Sequence, residues 1–148
     1  MNFTKMKQIY LLLFGVLFFV GCHDTKIGYL KTENASYGID SLIIRKELDM
    51  TNVDDKNRVE KGIPWLTDNI QGVLGTAPIR YKLSGVKAPS VEAETIFLKE
   101  FKVRGGGRME LPLYTELPVG RYVVSLYLSN EDYSAVLTDV YTFIVKEK

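Results

Sequence analysis

From Ile39 to the end of the chain, apolar side chains recur at every second position, and this period of two constrains the fold more than any other feature. Tyr122, Val124, Leu126 and Leu128 form the clearest run, and Ile79, Tyr81 and Leu83 alternate with Arg80, Lys82 and Ser84. Such alternation describes a strand with one face buried and one face wet. Leu42, Ile44 and Leu48 share a face. Phe97, Phe101 and Val103 repeat the pattern with Lys99 as the exception, followed by Met109, Leu111 and Leu113, and finally by Leu137, Tyr141, Phe143 and Val145. Gly105-Gly106-Gly107 predicts a hairpin connection, and Ser129 to Asp132 predicts the turn before the last strand. No long segment keeps a helical period, and only Val91 to Phe97, following Ser90, has the makings of a helical turn. About seven short strands without alternating helices predict an all-β fold, an antiparallel sandwich over residues 37–148.

A segment of this length buries about two-thirds of its unfolded surface, so it needs neither metal nor disulfide to fold. Leu117-Pro118-Val119-Gly120-Arg121-Tyr122 runs directly into the alternating strand and resembles the tyrosine corner of immunoglobulin-like and fibronectin-type-III-like domains. That resemblance implies a structural role for Tyr122, its hydroxyl bonded to upstream backbone and its ring in the core.

The N-terminus has a different character. Lys5 and Lys7 precede an uncharged apolar run of 12 residues, Ile9 to Val20, which is too short to cross a bilayer but is the length of a secretory signal core. Gly21-Cys22 closes the run, and with Phe19 and Val20 it resembles the lipobox of bacterial lipoproteins, in which the Cys becomes the lipidated first residue. Residues 1–21 are then a removed signal peptide. Cys22 opens a lipidated stretch, residues 22–36, that forms either a tether or a first edge strand. The expected anchor is a membrane through lipidated Cys22, with several acyl chains giving durable attachment. His23 beside the Cys is not the acidic residue of inner-membrane retention, and by that analogy the destination is the outer membrane, with the cell surface as the expected side.

Chemistry is thin. The chain has one His and one Cys, so a Ser-His-Asp triad, a Cys-His pair and a His-rich metal site all lack their parts. No cofactor, metal or catalytic residue is expected, and the protein is not expected to be an enzyme. Nineteen basic residues against 18 acidic ones leave no electrostatic footprint for nucleic acid. Asp49, Asp54, Asp55 and Glu60 crowd one polar stretch but lack the spacing and central Gly of an EF-hand, and a solvated loop is expected there. Gly105 to Gly107 has no Lys-Ser/Thr pair or following helix, so it is no phosphate cradle.

Aromatic residues are the better lead to binding. Trp65, in Ile63-Pro64-Trp65-Leu66, suits either a buried core indole or a flat platform for a sugar or peptide. Tyr127 lies on the strand face opposite Tyr122 and Tyr133 in the final hairpin region, which makes both candidates for stacking contacts, whereas Tyr37, Tyr114 and Tyr141 are assigned to packing. Asp40-Ser41-Leu42 resembles the acceptor of O-glycosylation in Bacteroidota envelope proteins, although a strand serine at Ser41 is the plainer expectation.

The Cys-led mature start, the stretch Ile27 to Leu42 and the immunoglobulin-like C-terminal half together resemble small surface lipoproteins of gut Bacteroidota, which often accompany SusC/SusD-type uptake systems. The resemblance implies a non-catalytic accessory module, with protein partners in an outer-membrane transport complex and a glycan or peptide ligand. A structural or adhesive envelope protein, such as a fimbrial accessory subunit, is the alternative.

Overall fold

The computed structural model describes residues 25–148; the expected signal peptide, Cys22 with its expected lipid, and His23 lie outside the described residues. The strands are β1 (Leu30–Lys31), β2 (Ser41–Arg45), β3 (Trp65–Leu66), β4 (Leu74–Gly75), β5 (Arg80–Lys87), β6 (Lys102–Val103), β7 (Met109–Leu111), β8 (Gly120–Ser129) and β9 (Ser134–Lys146). Two helices interrupt them, α1 (Val53–Lys61) between β2 and β3 and α2 (Val91–Glu100) between β5 and β6. A four-stranded sheet of order β2-β9-β8-β5 faces a three-stranded sheet of order β3-β7-β6, and β1 and β4 form a separate ribbon. The fold is all-β and open, like a sandwich.

Alternation works as expected on β8. Tyr122, Val124, Leu126 and Leu128 are fully buried and meet Tyr141, Phe143 and Val145 of β9 and Ile44 of β2 on the inner face. Phe97 of α2 closes over that face, stacked on Tyr122 at 5.5 Å and on Phe101 at 4.8 Å. The Tyr122 hydroxyl donates to the Pro118 carbonyl at 2.8 Å, the bond expected of a tyrosine corner.

Three local expectations are corrected. Phe97 and Phe101 do not belong to a strand, because α2 runs from Val91 to Glu100, with Ser90 Oγ accepting from the Ala93 N–H at 3.1 Å at its start and Phe101 as the residue that caps its end. The acidic stretch is not a solvated loop, because Asn52 caps α1 by accepting from the Asp54 and Asp55 N–H groups and Gly62 ends it at φ 60°. The sheet is not purely antiparallel, because β2 pairs with β9 in parallel, Ile44 opposite Val145.

The triple glycine does connect antiparallel neighbours, β6 and β7. Gly106 and Gly107 adopt φ of 71° and 72°, and a Cβ on Gly107 would lie 2.8 Å from Ile70 Cγ2, so two of the three positions require glycine. The Gly107 carbonyl also accepts from the Tyr37 hydroxyl, whose ring packs edge-on against Tyr141 at 4.9 Å. Burial, with the other phenols and Asp68 and Asp40 nearby, raises both phenol pKa values, that of Tyr141 to about 12. Raised folded values mean stability that is complete below pH ~10 and lost as pH rises through the folded pKa. The urea midpoint is therefore expected to hold up to pH ~10 and then fall steeply, with the fall reduced in Tyr37→Phe.

Candidate functional site

The inner face of the four-stranded sheet is core, and the outer face is open to solvent. Because Leu126 and Leu128 point inward, Tyr127 between them must point outward, and the residue is 36% exposed. The register sets Lys82 of β5 opposite Tyr127 on one side and Val136 of β9 on the other. Directly opposed side chains in antiparallel strands have Cβ atoms about 4.5–5.5 Å apart, so the three form one row across the sheet. In the next row Arg80 stands opposite Ser129, and Ser129 opposite Ser134. Tyr127 thus has a basic side chain on one flank, an apolar one on the other, and a second base with two hydroxyls in the row beyond. Among the described residues neither Arg80 nor Lys82 has an ion-pair partner.

Two breaks in the ladder border this row. β5 shifts register between Leu83 and Gly85, and β9 carries two additional residues between the partners of Val124 and Leu126. In that bulge Asp139 adopts a left-handed φ of 52°, its N–H donates to Ser125 Oγ at 3.0 Å, and its carboxylate pairs with Lys87. Bulges re-aim side chains, and this one brings the Asp139 carboxylate to Lys87, which stands on β5 opposite Val123. Lys82, Arg80 and Asp139 carry no motif that singles them out in the sequence. The bulge does leave a trace there: unbroken alternation from Leu137 to Tyr141 would turn Asp139 into the core, and the extra residues release it to solvent.

The remaining sequence candidates are dispersed. Trp65 is 3% exposed, its indole N–H donates to the Leu113 carbonyl at 3.1 Å and the Arg58 guanidinium lies 4.1 Å from its ring centroid. It is a core residue and not a platform, because pairing with Leu111 turns it inward and Arg58 of α1 covers what is left. Tyr133 lies in the β8–β9 turn, with Lys26 over its ring at 5.6 Å and its N–H held by Asn130 Oδ1 at 3.0 Å, next to Ser134. Ser41 opens edge strand β2, half-buried opposite Thr142. Tyr37 and Tyr141 are packed as expected, but Tyr114 is 69% exposed.

The acidic stretch lines a separate polar cleft of about 510 Å³ with Arg45 and Lys148. Its oxygens are already engaged: Asp55 pairs with Arg45 and accepts from the Asp49 N–H at 3.0 Å, and Asp49 Oδ1 accepts from the Thr51 N–H and hydroxyl. Among the described residues no group of three or more His, Cys, Asp or Glu side chains is arranged to hold a metal ion.

No protein-family model and no curated protein matches this chain. Among solved structures it is similar to a SusE-like, surface-located polysaccharide-binding protein from the heparin utilisation locus of Bacteroides thetaiotaomicron, with a TM-score of 0.52 and 15% identity. The likeness covers 82% of this chain and 15% of that chain, and at this identity it concerns the fold.

Proposed function

We propose that this protein is a lipid-anchored, non-catalytic surface protein that binds an anionic polysaccharide on the outer face of its four-stranded sheet, as an accessory to an outer-membrane uptake system. The observation that carries this reading is the row Lys82-Tyr127-Val136, with Arg80 beside it, on the solvent-facing side of the sheet. An aromatic ring offers a flat apolar surface to the C–H face of a sugar, and Lys82 and Arg80, which have no ion-pair partner among the described residues, favour carboxylate or sulfate substituents. The fold likeness to a polysaccharide-binding surface protein supports the same reading. Cys22, at the end of the apolar run, supplies the anchor.

Binding is tested by affinity electrophoresis and calorimetry with heparin as an anionic probe and dextran as a neutral one. Heparin is expected to retard the protein and dextran not to. Tyr127→Ala is expected to weaken heparin binding about tenfold, about 1.4 kcal/mol, with little change in the urea midpoint, because the ring lies outside the core. Equal indifference to both polymers would sink the reading, and retardation by dextran alone would overturn the anionic preference. Anchoring is tested by palmitate labelling in cells, which Cys22→Ser is expected to abolish.

A further inference from the structure

The stretch following the proposed lipid is no free tether. The Ile27 N–H donates to an Asp132 carboxylate oxygen at 2.6 Å, and the Tyr29 N–H donates to Thr76 Oγ1 at 3.2 Å. The Tyr29 carbonyl accepts from the Thr76 N–H at 3.0 Å and from Asn130 Nδ2 at 2.8 Å. β1 then pairs with β4, Lys31 opposite Leu74, and Ser36 bridges to Gln71. From Ile27 onward the chain is therefore fixed to one end of the molecule, the end formed by the β8–β9 turn and the start of β5.

At that end apolar side chains are exposed. Ile27, Tyr29 and Leu74 are 72%, 50% and 59% exposed, and Tyr29 and Leu74 share the outer face of the β1–β4 ribbon, because Lys31 alternates in step with Tyr29 and is paired with Leu74. Four residue steps separate Cys22 from Lys26, a reach of at most about 14 Å. The polar zone of a bilayer leaflet is itself about 5–8 Å deep. A lipid on Cys22 therefore holds this patch at the interface, where Tyr and aliphatic side chains are favourably placed.

We propose that Ile27, Tyr29 and Leu74 rest in the interface of a phospholipid bilayer, so that the molecule stands on its β8–β9 end with β8 running toward the membrane and β9 away from it. This rests on the reading of Cys22 as the anchor. The orientation sets the opposite pole, where β8 begins and Gly120 abuts Pro89, about 30 Å out from the surface, the nine residue steps of a ten-residue strand at about 3.4 Å each. The saccharide-binding row then lies on a side wall near the membrane, presented laterally to whatever shares the bilayer.

The test uses the chain from Cys22 onward, coupled through that sole cysteine to a maleimide lipid in phosphatidylcholine vesicles containing brominated acyl chains. Native Trp65, 3% exposed and in the core, gives a constant background. Tyr29→Trp is expected to be quenched by the brominated lipid, losing about half or more of its added fluorescence, and Val91→Trp at the far pole is expected to be unaffected. Leu74→Trp serves as a second reporter should Tyr29→Trp fold poorly. Quenching absent from both ribbon reporters, or present at Val91→Trp instead, overturns the orientation. Because the coupling chemistry supplies the tether, failure of palmitate labelling in cells overturns the anchoring reading by itself and is distinct from either result.

Discussion

Phe97→Ala is expected to lower the stability of the domain by about 3–5 kcal/mol, the upper end of what truncating one core side chain costs. The side chain is fully buried, and three aromatic rings surround it: Phe101 at 4.8 Å, Tyr122 at 5.5 Å and Phe143 at 6.1 Å. Truncation removes the ring's transfer free energy and leaves a void between a helix and a sheet, neither of which can collapse far. The void also deprives Tyr122 of the ring stacked on it, although the Tyr122–Pro118 hydrogen bond should survive. Urea unfolding followed by circular dichroism measures the loss directly. Phe97→Leu, which keeps most of the volume, is expected to cost markedly less. A Phe97→Ala variant within about 1 kcal/mol of the parent would show that α2 is not packed as described.

The second large effect concerns Arg45 and Asp55. Asp55 is 1% exposed, on an otherwise polar helix, and its carboxylate is met by the Arg45 guanidinium and the Asp49 N–H. Arg45→Ala leaves that carboxylate buried without its cation, which for a fully buried pair costs about 3–5 kcal/mol. The Arg45 side chain is 36% exposed, so water moderates the loss and about 2–3 kcal/mol is expected. The hydrogen bond from Arg45 holds the Asp55 carboxyl below its ordinary pKa, against the opposing effect of burial. A lowered folded value means stability that is fully present above pH ~5 and lost as pH falls through about 4 towards the folded pKa. Arg45→Ala should therefore flatten the acid limb of the stability profile as well as lower its plateau. A variant with the parent's acid limb would show that the pair contributes nothing to acid sensitivity.

These two sites lie where the chain is hardest to read from its residues. Phe97 and Phe101 are four apart, a spacing that fits two strand periods and one helical turn equally well; Lys99, the exception in a strand, is an ordinary exposed position on a helix. The capping serine at 90 is the better guide. α1 has both its caps in the sequence, Asn52 and Gly62, yet it buries only Asp55 and so carries no apolar stripe from which a period can be seen. Trp65 fits core and platform equally as a residue type, because an indole is suited to either, and only the pairing of β3 with β7 settles which.

The all-β character and the inward faces of β8 and β9 were legible before any coordinates, because alternation in a half-buried strand is a local property of the chain. The Tyr122 corner and the glycine connection were legible for the same reason, each depending on a few neighbouring residues and their backbone conformation. The parallel seating of β2 on β9, the pairing of Arg45 with Asp55, and the gathering of Lys82, Tyr127 and Val136 into one row emerge only in three dimensions. Those contacts join residues from separate elements of the fold. Their geometry follows from register and packing, which no local pattern of side chains specifies.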